Sequence, residues 1–125
     1  MKLKIFVSAA VASLLIATGG CYKDVYYPDF DPNAPISFSA DLQPIFSKSC
    51  ASSGCHDDGP AHKPALTPGK AYNAIKSGGF IDLNVPENSM LYRVIKSGEM
   101  PPTGALKSTD VQKVLYWIKN GAPNN

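Results

Sequence analysis

With 125 residues the chain can hold one modest domain, and its formal net charge of +2 is the balance of 12 basic and 10 acidic side chains. The excess comes from Lys2 and Lys4 near the start, so the rest is close to neutral and has no basic footprint for nucleic acid.

Residues 1–20 have the pattern of an export signal. Lys2 and Lys4 form a basic n-region, and Ile5 to Ile16 is apolar apart from Ser8 and Ser13. Small residues then lead into Cys21, and the apolar run is too short to span a membrane comfortably. The segment resembles a bacterial lipobox, with Thr18 where leucine is usual. Cys21 is therefore the expected lipidation site, and several acyl chains there would make a stable anchor. The protein is expected outside the cytoplasm, anchored to a membrane and facing the periplasm or cell surface. There, unprotected thiols are normally oxidised.

Residues 21–37 are rich in Tyr, Pro and Asp. Pro28, Pro32 and Pro35 forbid a continuous helix, so this stretch is expected to tether the anchor to the domain. Alternatively, Tyr26, Tyr27 and Phe30 could fold back onto it. Residues 38–125 form the domain, small enough to lean on a staple or cofactor for its core.

Four helices can be placed, giving an all-α class. The first is expected over Ala40 to Ser49, with Asp41 as N-cap, Pro44 in the first turn and Leu42, Ile45 and Phe46 on the apolar face. The second follows Thr67-Pro68, carries Ala71, Tyr72 and Ile75, and ends at Gly78-Gly79. The third is expected to be capped by Asn88, to carry Leu91, Val94 and Ile95, and to stop at Gly98. The fourth is expected to start at Thr109, with Gln112 completing a capping box, and to bury Val111, Val114, Leu115 and Ile118 before Gly121 and Pro123 end it. The only strand-like alternation is the short run Phe80-Ile81-Asp82-Leu83.

The chemistry concentrates in Cys50-Ala51-Ser52-Ser53-Gly54-Cys55-His56. Two thiols followed at once by an imidazole is the order needed to attach a haem covalently and ligate its iron, although the usual signature separates the cysteines by two residues rather than four. Ser52, Ser53 and Gly54 are small and turn-prone, which suits a bulged spacer. Cys50 and Cys55 are the expected thioether positions and His56 the proximal ligand, giving one covalent haem c.

For the sixth position the chain offers Met100, Met90 and His62. Met100 is favoured because Pro101 and Pro102 stiffen its loop and bias it toward extended backbone. Met90, at the start of the third helix, is expected to pack in the core or against the cap, and His62 to face solvent in a polar loop. Histidine–methionine ligation favours ferrous iron and raises the reduction potential relative to two histidines.

The ordered set Asp41-Leu42-Gln43-Pro44-Ile45-Phe46, Cys50, Gly54-Cys55-His56, Ser89 to Ile95, Met100-Pro101-Pro102, Trp117-Ile118 and Gly121-Ala122-Pro123 resembles small exported monohaem cytochrome c domains of Bacteroidetes- and Planctomycetes-type bacteria. The resemblance covers residues 38–123. It implies a class I cytochrome c fold, with four helices around one haem and the first and last helices crossing, so that Phe46 meets Tyr116 or Trp117. It also implies that the Pro64 carbonyl receives the His56 N–H, with Leu66 in the same loop, and that Leu91 and Ile95 lie against the cofactor. The expected role is single-electron transfer between redox protein partners, with no enzymatic activity and no small-molecule substrate.

Two other readings use the same residues. Cys50, Cys55, His56 and His62 could form a structural zinc or disulfide module, although tetrahedral zinc sites usually join two separated ligand pairs. A haem with an open sixth position would instead serve sensing or catalysis.

Overall fold

A computed structural model describes residues 29–59 and 61–125. The expected export signal and Cys21 lie outside the described residues, as do Tyr26 and Tyr27. Among the described residues the regular structure is entirely helical, with no strand. The helices are α1 (Gln43–Ser49), α2 (Ala71–Ser77), α3 (Met90–Lys96) and α4 (Ser108–Lys119). A π-helical turn, Phe38–Leu42, opens α1, and a 3-10 turn, Pro86–Asn88, precedes α3. No helix among the described residues is long and apolar enough to cross a membrane.

The first cap is Ser37, not Asp41. Ser37 Oγ accepts the Ala40 N–H at 3.1 Å, and the Asp41 carboxylate accepts the Ser37 N–H in return at 3.0 Å. This is capping-box logic stretched by one residue, because the wider π turn carries the reciprocating side chain one position further on. Asp41 also receives Lys113 Nζ of α4 at 3.0 Å, tying the last helix to the first turn.

The Ser37 N–H, and secondarily Lys113, hold the Asp41 carboxyl below its ordinary range against a smaller opposing effect of burial. Because the folded-state value is the lower one, the stabilisation is complete above the ordinary carboxylate range. It is lost as pH falls through the folded value. Asp41→Asn keeps an acceptor oxygen for the Ser37 N–H but loses the charge on that bond and on the Lys113 pair, so it should cost at most about 1 kcal/mol near neutral pH. In urea melts the gap from wild type should narrow as Asp41 protonates. A gap that stays constant into acid would show that the charge is irrelevant.

The other starts also move, for one shared reason: the expected cap side chains are engaged elsewhere or are inside the helix. Lys70 and Ala71 donate to the Thr67 carbonyl at 3.1 and 3.0 Å, so coiling begins there, but the Thr67 hydroxyl donates to Asp58. Asn88 closes the 3-10 turn and does not cap α3. Ser89 holds the cap position, yet its Oγ, 1% exposed as a residue, accepts the Asp82 N–H at 2.9 Å. The Leu91 N–H is satisfied instead by the Phe80 carbonyl at 3.0 Å. Thr109 lies inside the first turn of α4, where Asp110 and Val111 donate to the Lys107 carbonyl.

Gly78 ends α2 at close quarters. A Cβ there would collide with the Phe80 ring and sit 2.7 Å from the Ala74 carbonyl oxygen. The following Gly79 takes φ +71°, which favours glycine.

The core joins α1, α2 and α4 around aromatic rings. Leu42, Phe46, Ile75, Val114, Trp117 and Ile118 are fully buried. Phe38 is the hub: its centroid lies 6.0 Å from Phe46, 5.3 Å from Tyr72 and 5.3 Å from Trp117. The expected aromatic link between the first and last helices is thus bridged by a residue of the opening π turn. Tyr116 turns away and meets Phe30 at 5.1 Å. Phe30 packs against the core and Ile36 is buried in it, so packing begins upstream of residue 38. Trp117 Nε1 donates to the Pro123 carbonyl at 2.9 Å and Tyr72 Oη to the Ala122 carbonyl at 3.1 Å, which fold the segment after α4 back over the core.

Candidate cofactor cavity

Between the end of α1 and the face of α3 lies an apolar-walled cavity of about 460 Å³, within the ~300–1,000 Å³ common for ligand sites. Phe46 and Cys50 come from α1 and its end, and Cys55 and His56 from the spacer that follows. Pro64 and Leu66 line it from the next loop, Leu91 and Ile95 from α3, and Met100 from the loop after α3. The site residues expected from the sequence, apart from Cys21, are therefore brought to one wall or another of a single cavity. Phe80, Val94, Pro101 and Pro102 also line it without having been assigned to the site, the proline pair having been expected only to stiffen the Met100 loop. Phe80 had only the weak signal of a strand-like run, and Val94 stood in the α3 stripe without an assigned role.

The spacer is a tight bulge. Cys55 N–H bonds to the Ser52 carbonyl at 2.9 Å, and Gly54 takes φ +77°. The His56 N–H then reaches back across the whole spacer to the Cys50 carbonyl at 3.1 Å. Both cysteines are half-buried free thiols. Burial, and secondarily the neighbouring Cys55, pushes the Cys50 thiol up to about 11, so it is protonated at neutral pH.

Asp57, which the sequence reading passed over, stitches this bulge together. Its Oδ2 accepts the Gly54 N–H at 3.0 Å and its Oδ1 the Gly59 N–H at 2.9 Å. These two amides hold its carboxyl below the ordinary range. The only signal was an acidic residue directly after the histidine, with glycines on either side.

His56 Nδ1 lies 2.9 Å from the Pro64 carbonyl oxygen. A carbonyl can only accept, so Nδ1 carries a proton, and in the neutral imidazole Nε2 is the nitrogen with the free lone pair. The loop is fixed further by the Leu66 N–H on the His56 carbonyl at 2.8 Å and by Gln43 Nε2 of α1 on the Leu66 carbonyl at 3.0 Å. The imidazole is thereby held as a preoriented nitrogen donor.

Met100 is half-buried, with its N–H on the Val94 carbonyl at 3.0 Å. Met90 is not core: it is 58% exposed and lines the same cavity. His62 is exposed as expected, but it lies at the cavity rim, its ring centroid 6.3 Å from that of His56. Among the described residues no group of three or more Cys, His, Asp or Glu side chains is gathered to hold a metal ion.

The donor chemistry suits a covalent haem. Two unpaired thiols adjoin an oriented imidazole, a thioether lines the same space, and the remaining wall is almost wholly apolar. No protein-family model matches the chain, and neither a curated protein nor a solved structure matches it.

Proposed function

We propose that this protein is a monohaem c-type cytochrome of class I fold that passes single electrons between redox protein partners while tethered to a membrane through Cys21. The observation that carries the reading is the pairing of the His56–Pro64 hydrogen bond with two free thiols in one apolar cavity that Met100 also lines. When bound, the haem iron would supply a one-electron couple. The chain does the rest. Cys50 and Cys55 fix the group covalently, the Pro64 carbonyl orients His56, and Met100 offers a soft donor. Leu66, Leu91 and Ile95 exclude water, which keeps the local dielectric low. With His56 and Met100 both holding the group, the chain would leave no donor position for a substrate, which favours electron transfer over catalysis.

The test is expression with the signal intact in a host that carries out c-type maturation. Wild type should be coloured, should keep its pigment through acid–acetone extraction and denaturing electrophoresis, and should give a c-type pyridine haemochrome. It should fractionate with membranes, whereas Cys21→Ser should be released. The Cys50→Ala, Cys55→Ala double variant should lose all covalent pigment. Colourless wild type, or pigment extracted by acid–acetone, would overturn the haem reading; membrane retention of Cys21→Ser would overturn the anchor.

A further inference from the structure

The spacer between the two thiols poses a physical problem. Each additional residue between Cys50 and Cys55 brings backbone freedom that must be lost if both sulfurs are to be presented together. The local chain offers little to suppress it, because Gly54 is the most permissive residue available and sits at φ +77°. A Cβ at Gly54 would meet no atom within 4 Å, so glycine is needed there for its backbone conformation and not for space.

Asp57 supplies the missing restraint. Its two carboxylate oxygens divide their work: Oδ2 takes the Gly54 N–H at 3.0 Å, and Oδ1 the Gly59 N–H at 2.9 Å. Cys55 and His56 lie inside the loop that the first of these bonds closes. That loop joins the Cys55–Ser52 and His56–Cys50 bonds, so the left-handed residue, the second thiol and the imidazole are held as one unit. The next carboxylate does something different. Asp58 receives the Thr67 hydroxyl and Lys70 Nζ, which attaches the downstream loop to the start of α2 without touching the spacer.

We propose that Asp57 is a positioning residue for two-point haem attachment, clamping the widened spacer so that Cys50 and Cys55 both react. The inference rests on the haem reading above. Each thiol adds across one vinyl group: sulfur bonds the inner vinyl carbon, the thiol hydrogen ends on the outer carbon, and no oxidant or reductant is consumed. Failure at one site therefore leaves one free thiol and one intact vinyl group at unchanged total mass.

Those two leftovers are the readout. Wild type, Asp57→Asn, Asp57→Ala and Asp58→Asn are matured in the same host, denatured and alkylated with iodoacetamide, and the labelled cysteines are located by peptide mass mapping. Asp57→Ala removes both acceptors. It should raise the fraction of haem-bearing chains with an alkylated Cys50 or Cys55 at least fivefold over wild type, with a red-shifted haemochrome α band from the surviving vinyl. Asp57→Asn keeps one acceptor oxygen and should fall between, and Asp58→Asn should match wild type. If Asp57→Ala does not accumulate, Asp57→Asn decides the matter. Haem-bearing Asp57 variants with both cysteines blocked to the wild-type extent would overturn the clamp while leaving the haem reading intact. Wild type without covalent haem would overturn both.

Discussion

Replacing Met100 by alanine should leave the haem covalently attached and yet change what the iron can do. On the proposed reading the thioether is the soft donor that favours the ferrous state, so its loss should lower the reduction potential by on the order of 100 mV, well inside the ~0.8 V range commanded by axial ligation. The reduced variant should bind carbon monoxide, and the ferric spectrum should lose its methionine–iron charge-transfer band. Met90→Ala is the necessary comparison, because Met90 lines the same cavity and is 58% exposed. If Met90 were the ligand, the two phenotypes would be exchanged. An unchanged spectrum and potential in Met100→Ala would remove Met100 from the iron altogether.

The second large effect lies away from the cavity. Trp117 is fully buried, its ring is 5.3 Å from Phe38 and 6.4 Å from Tyr72, and its Nε1 donates to the Pro123 carbonyl at 2.9 Å. Trp117→Ala should cost about 3–5 kcal/mol, roughly a fifth or more of the ~5–15 kcal/mol that a small domain possesses. At roughly 4–8 °C per kcal/mol for a domain of this size, the melting temperature should drop by at least ~10 °C. Trp117→Phe keeps a ring but loses the indole volume and the hydrogen bond. It should cost less, with the unpaired Pro123 carbonyl accounting for about 1 kcal/mol of the loss. Thermal melts followed by near-ultraviolet dichroism would check both, and a loss below ~1.5 kcal/mol for alanine would mean that Phe38 and Tyr72 relax into the space.

What the sequence made legible was chemistry carried by neighbouring residues. Cys55-His56 needed no long-range knowledge, whereas Pro64 as the partner of His56 came from the family resemblance; the structure places the two together with a 2.9 Å bond between imidazole and carbonyl. Met100 was readable from the proline pair and Leu91 and Ile95 as a helix face from their spacing, but that the two face the site came from the family resemblance. The helix starts were not, because a cap is a contest between local and distant partners. Asp41 is shared between Ser37 and Lys113, and Ser89 is taken by Asp82, so propensity alone could not rank them. The Phe38 hub depends on a π turn, which no hydrophobic period announces. Asp57 was invisible because its role exists only once Gly54 has adopted a left-handed backbone.

The contact between Phe30 and Tyr116 bears on how far the domain could reach if Cys21 is acylated as proposed. A leash released only at Phe38 could let the domain roam as far as about 60 Å from an acylated Cys21, at ~3.3–3.6 Å per extended residue. With Phe30 docked on α4, the free span shrinks to at most about 30 Å by the same measure. On the proposed reading, electron donors and acceptors would then have to come to the lipid surface to be served, and a partner standing tall above the bilayer would be out of range unless that aromatic clasp lets go.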